Sequence, residues 1–183
     1  MTHLTPRDPD AAAEVALARL VALLRKAGNA RSAAWAISSE AIAALGLEDC
    51  IVYLLDAHGA TLTQVAAYGP KLKAPNVIEH AITLLVGQGV VGACAALRET
   101  IRIDDTRLDA RYVTDDDVRL SELAVPLLHG DELLGVLDSE HSTAAFYTDH
   151  HVRVLTQMAG LLASHLSGLR DLAASGAASR STE

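Results

Sequence analysis

Hydrophobic positions near the two ends of the chain follow the period of a helix. Ala13, Leu17, Leu20, Leu24 and Ala27 recur at spacings of 4, 3, 4 and 3, which lines one face of a helix. Asp10 stands where an N-cap belongs and Gly28 where a helix stops. Residues 10–30 are therefore expected to form an N-terminal helix, behind a flexible leader over 1–9. A second helix is expected from about Ser32 to Leu45, ended by Gly46. Towards the other end, Val152, Leu155, Ala159, Leu162, Leu166 and Leu169 repeat at 3, 4, 3, 4 and 3, a heptad seam in a helix that starts near Thr148 and Asp149. The small and polar stretch 171–183 is expected to be a disordered tail.

Between these helices the period shortens. Residues 50–56 form an apolar run, 57–60 a turn and 61–68 a returning strand. Gly69 and Pro70 break it, and 71–76 reads as a polar loop. Residues 82–86 read as a strand, 87–97 as a glycine-rich turn entering a short helix, and 100–104 as a strand. A long polar connection follows over 105–120, with six Asp between 104 and 117 against two Arg. Residues 122–128 and 132–138 form a hairpin around His129, Gly130 and Asp131, and 139–145 reads as a loop. Pro126 points to an edge or a bulge, because it has no N–H to give a sheet. The element order predicts an α+β fold, with helices gathered against one face of a mostly antiparallel sheet.

Composition narrows the class. The 183 residues are 50% hydrophobic, with 33 Ala and 28 Leu against one Trp and one Phe, so the core is expected to be aliphatic. This excludes a disordered chain, a collagen and a disulfide scaffold. The formal charge of −8 argues against nucleic acid as a partner, since phosphate binding needs a surplus of Lys and Arg. The longest uncharged run, 81–97, is broken by Gly87, Gly89 and Gly92 and falls short of a membrane span. With no signal peptide in the polar N-terminus, the expected location is cytoplasmic, away from any membrane. Cys50 and Cys94 lack CxxC spacing and have apolar neighbours, so both are expected to be buried, reduced and non-catalytic.

Five motifs in order carry a family resemblance. They are VGQGVVG at 86–92, IDDTR at 103–107 with Asp109 and Tyr112, SELAVP at 121–126, GVLDSEH at 135–141 and FYTD at 146–149. Together the chain resembles a GAF domain over about 31–169, and a domain over 31–170 is expected. The resemblance implies a twisted antiparallel sheet with the N- and C-terminal helices on one face and a ligand pocket on the other. It implies a non-enzymatic sensory or regulatory module of bacterial signal transduction. Such a module binds a small molecule and signals through its terminal helices. By resemblance, Glu122, Asp138, Tyr112 and Asp104 are the expected ligand-binding residues. The resemblance leaves the cofactor unknown. The two helical seams predict a homodimer, and a separate signalling output protein or domain is expected as partner.

Two alternatives stay open. One is a ligand-free GAF dimerisation module. The other is a GAF-fold enzyme of the free methionine-(R)-sulfoxide reductase type, matched by Ser121-Glu122 and Leu137-Asp138. That enzyme group carries Cys where this chain has Val91, and again where it has the stretch 115–117. Glu122 and Asp138 lie on neighbouring strands of one hairpin. Pointing inward, they would favour an ammonium group or several hydroxyls, and their repulsion would raise one pKa unless a cation or donor sat between them. Asp138, Glu140 and His141, with His150 or His151, would form a metal set only if the strand ran past 138, so no metal is expected.

Overall fold

The computed structural model describes residues 9–115 and 117–180. Helix α1 spans Pro9–Leu24 and α2 spans Ala30–Leu45. Strands β1 (Cys50–Leu55) and β2 (Thr61–Tyr68) follow, then the short strands β3 (Leu72–Ala74), β4 (Val77–Ile78) and β5 (Thr83–Leu85). Helix α3 covers Gly89–Leu97 and β6 Ile101–Ile103. The hairpin strands β7 (Ser121–His129) and β8 (Glu132–His141) lead into α4, Asp149–Arg180. Six strands form one sheet in the order β5-β2-β1-β8-β7-β6, all pairs antiparallel. This is the α+β architecture that the sequence predicts.

Most boundaries follow from local chemistry. Asn29 caps α2: its side chain accepts from Ser32 N at 2.8 Å, and Ser32 Oγ reaches back to the cap. The helix therefore starts at Ala30, ahead of the expected Ser32, and Gly46 ends it in the left-handed conformation. α1 stops at Leu24, and a turn carries the chain through Ala27. The polar loop expected over 71–76 contains the small β3–β4 hairpin. Pro126 pairs with Val136 of β8, while β6 pairs only with Glu122–Ala124, so the ring sits where β7 has become an edge. The leader expected over 1–9 lies outside the described residues except for Pro9, which starts α1. α4 continues to Arg180, well into the stretch expected to be disordered from 171, and residues 181–183 lie outside the described residues.

The two faces of the sheet bury different things. On one face, α1, α2 and α4 enclose an aliphatic core with Val52, Leu123, Val125, Leu127 and Leu137. The α4 seam fills this core: Leu155, Met158, Ala159, Leu162, Ala163 and Leu166 are all buried within the chain. The seam that predicts a homodimer thus already has its partner in the chain's own sheet and helices. On the other face, α3 packs Val90, Val91, Cys94 and Ala95 onto Ile51, Tyr53, Ala124 and Val136. Its entry is tight, because a Cβ on Gly92 would collide with the Leu85 carbonyl oxygen. Gly92 thus serves close packing, whereas Gly87 and Gly89 supply the positive φ that the turn needs, 91° and 71°. Among the described residues, no helix is long and apolar enough to cross a membrane.

A buried carboxylate pocket over β7 and β8

β8 does not stop at Asp138. It runs to His141, and Asp49, just before β1, holds its end: Glu140 N donates to Asp49 Oδ1 at 2.6 Å and Ser139 Oγ donates to the Asp49 carbonyl at 2.7 Å. The loop expected over 139–145 is therefore strand for its first three residues. Alternation then places Val136, Asp138 and Glu140 on the α3 face. Glu140 pairs in register with Glu122 of β7, and Asp138 pairs with Ala124. Three carboxylates converge, each nearly sealed from solvent at 4% (Glu122), 3% (Asp138) and 4% (Glu140). They line a cavity of only about 20 Å³ together with Tyr53, Val113 and Asp115.

The electrostatics of this cluster are unfavourable as they stand. Burial, then the charges of Glu122, Glu140 and Asp49, push the Asp138 carboxyl well above the ordinary range. Burial and the Glu140 and Asp49 charges do the same to Glu122, and a hydrogen bond to Asp138 partly offsets them. Two carboxyl groups hydrogen-bonded to each other must hold a proton between them. Among the described residues, Asp138 Oδ1 is buried with no hydrogen-bond partner. A buried polar atom in that state costs on the order of 1–3 kcal/mol.

The expected site residues divide. Glu122 and Asp138 face the cavity and touch each other. Tyr112 is half-buried, its hydroxyl accepting from Arg119 N at 3.0 Å and hydrogen-bonding Glu140, so it borders the cluster through Glu140. Asp104 is not at the site. Ile103 uses the inward position of β6, which leaves Asp104 exposed and beside Arg102 at 3.5 Å. The other acidic residues of this connection are largely tied locally: Asp105 to Arg107 and Asp109 to Arg111, both at 2.7 Å. Glu140 is the carboxylate of this cluster missing from the expected set, because its place depends on β8 running past Asp138. The metal set weighed with it is dispersed. His141 stacks on Phe146 at 3.6 Å and His150 reaches Asp10 at 3.1 Å.

Sequence reading also leaves out a second polar cluster beside the first. Lys71, between β2 and β3, forms an ion pair with Asp115, and both side chains are buried. Gln64 of β2 ties them together: its Nε2 donates to Asp115 at 2.7 Å and to Tyr53 Oη at 2.8 Å, while its Oε1 accepts from Lys71 at 3.0 Å and Ile82 N at 3.1 Å. Ile82 and Asp115 line the carboxylate cavity and also an outer cavity of about 350 Å³, which Lys71 and His80 line as well.

Both thiols are buried. Cys50 belongs to the helix-side core, and Cys94 lies on the α3 side, where burial and then the Asp138 and Glu122 charges push its pKa up strongly.

Known proteins with related sequence or fold include enzymes. The free methionine-R-sulfoxide reductase of Escherichia coli (strain K12) is 28% identical over 81 residues, 44% of this chain. The match spans about half the length of that curated relative, 49%. The free methionine-R-sulfoxide reductase of Neisseria meningitidis, solved in complex with its substrate, superposes with a TM-score of 0.80 at 19% identity, over 94% of this chain and 98% of that one. The GAF domain of the Acinetobacter phosphoenolpyruvate-protein phosphotransferase superposes at 0.75 with 17% identity, covering 88% and 96%. These relatives overturn the expectation of a non-enzymatic module, because reductases stand at least as near to this chain as other GAF domains do. The family model for the GAF domain matches residues 29–166, most of the chain, and this protein belongs to the GAF domain family.

Proposed function

We propose that this chain is a GAF protein of the free methionine-R-sulfoxide reductase type, whose carboxylate pocket takes the ammonium group of a free amino acid. The unpartnered Oδ1 of Asp138 carries the reading. An ammonium group supplies three N–H donors and the positive charge that Glu122, Asp138 and Glu140 together call for. The partial sequence match to a reductase supports the same direction. Binding would release the proton held between Glu122 and Asp138, so affinity rises with pH through the range in which that pair ionises.

Sulfoxide reduction on this scaffold has one route. A thiolate attacks the sulfoxide sulfur, the oxygen leaves with the thiol sulfur as a sulfenic acid, and the thioether departs. Cys94 is the thiol on the pocket side, whereas Cys50 lies under the helices. An external dithiol must then reduce the sulfenic acid, giving a disulfide and water. Burial and the Asp138 and Glu122 charges hold Cys94 in its thiol form, and a bound ammonium offsets the second cause.

Calorimetric titration with free methionine-R-sulfoxide, alongside turnover with a dithiol, tests both halves. Expected are binding that Asp138→Asn weakens about tenfold or more, and slow turnover that rises with pH and vanishes in Cys94→Ser. Absence of binding by the wild type overturns the reading. Binding without Cys94-dependent turnover removes the reductase step and leaves recognition.

A further inference from the structure

The carboxylate cavity holds about 20 Å³, room for one water and not for an amino acid. The adjoining outer cavity, about 350 Å³, is within the range of small-molecule sites. Asp115 is common to the walls of both, so the Lys71–Asp115 pair stands between them. Lys71 is 5% exposed, and Gln64 Oε1 holds its ammonium while anchored in turn by Ile82 N. The cation and a neighbouring amide donor are thus fixed by β2 and the chain before β5, independently of Asp115. Asp115 comes from the irregular connection between β6 and β7, whose residues Val113, Thr114 and Asp117 are exposed. Its carboxylate takes one bond from Lys71 and one from Gln64 Nε2, as any carboxylate could.

We infer that Lys71 and Gln64 form a recognition site for the carboxylate of a zwitterionic ligand, and that Asp115 fills this site as an internal competitor until the ligand displaces it. The inference rests on the reading that Glu122, Asp138 and Glu140 take an ammonium group. The two sites are joined through Tyr53, which lines the carboxylate cavity and meets Gln64. Displacement removes a fixed negative charge from beside three carboxylates and replaces it with a ligand of no net charge. Lys71 would then decide for amino acids over simple amines, and Asp115 would set the affinity threshold.

Two probes separate the ends of the ligand: L-methionine, and 3-(methylthio)propylamine, which lacks the carboxylate. Asp115→Ala is expected to tighten L-methionine binding about tenfold and leave the amine unchanged, whereas Lys71→Met weakens L-methionine to the level of the amine. Equal shifts for both probes overturn the inference. A third arm needs no ammonium: millimolar acetate is expected to raise the melting temperature of Asp115→Ala, but not that of the Asp115→Ala/Lys71→Met double variant. No response to acetate in Asp115→Ala refutes the carboxylate site. Asp115→Asn, similar in shape, serves in all arms where Asp115→Ala fails to fold. Wild type that binds neither probe sinks the proposed ammonium pocket, and the acetate arm then decides on Lys71 alone.

Discussion

The two faces of one sheet have been built to opposite rules. Towards α1, α2 and α4, buried side chains are almost all aliphatic, and polar groups such as Ser139 and Tyr147 hydrogen-bond each other at 2.8 Å. Towards α3, the same strands bury three carboxylates, one with an oxygen lacking a partner. The first face contributes burial free energy at every position, roughly 1.5–3 kcal/mol for each large aliphatic side chain sealed from water. The second gives some of it back. Glu122 and Glu140 are direct cross-strand partners, an arrangement in which like charges are destabilising. The stable face keeps the costly one in place, and substitutions on the two faces should therefore differ in sign.

The largest effect is expected on the helix face. Leu162 is fully buried in the α4 seam, and Leu162→Ala should cost about 3 kcal/mol in urea unfolding through lost burial and a residual cavity. A cost below about 1 kcal/mol would mean that the seam packs loosely and the contrast is overstated. Opposite in sign, Asp138→Asn should stabilise the ligand-free protein at neutral pH by on the order of 1 kcal/mol, by removing a buried like charge. Stability unchanged or reduced in that variant would show that the carboxylates are compensated in the empty pocket.

Titration sharpens the comparison further. Glu122 and Asp138 hold their protons more tightly folded than unfolded, so the stability they lend is complete below the ordinary carboxylate range and is lost as pH rises through their raised values. Unfolding followed from pH 5 upward should show this decline in the wild type and much less of it in the Glu122→Gln/Asp138→Asn variant. Equal slopes would place the proton-linked groups elsewhere. The smallest effect belongs to the satisfied polar groups of the helix face. Tyr147→Phe loses one buried hydrogen bond to Ser139 and should cost about 1 kcal/mol at every pH. A pH-dependent cost would couple Tyr147 to the carboxylates.

Much of the fold was legible because its signals are local. β2 falls where the sequence places it, and β1 ends one residue earlier, since an apolar run closed by a glycine turn leaves few other structures open. The β7–β8 hairpin follows from Gly130 and Asp131 in the same way. The end of β8 was not legible. Ser139, Glu140 and His141 are loop-like in composition, yet they pair with Leu123, Glu122 and Ser121 of β7 and are braced by Asp49, ninety residues away. The same limit hid the polar cluster beside the carboxylates. Glu122 and Asp138 share a hairpin, so their nearness is legible in the chain, while Lys71 and Asp115 are 44 residues apart with no motif between them. Asp104 shows the opposite case, for it sits inside a family motif but lies exposed just past the end of β6.

One irregularity in β8 bears on how this sequence can drift. Leu127 pairs with Gly135 and Leu128 with Leu133, so Leu134 is an extra residue in the ladder. Leu133 leans towards α3 and Leu134 itself towards the helices; after it, even numbers face α3 and odd numbers face the helices. The strand changes parity there. A length change of one residue between Gly130 and Leu134 can be taken up by this bulge, leaving Asp138 and Glu140 on their side. The same change between Gly135 and Asp138 has no such buffer and would send both carboxylates into the aliphatic core. Homologous chains are therefore expected to vary in length on the turn side of Gly135 and to keep a fixed count on the other.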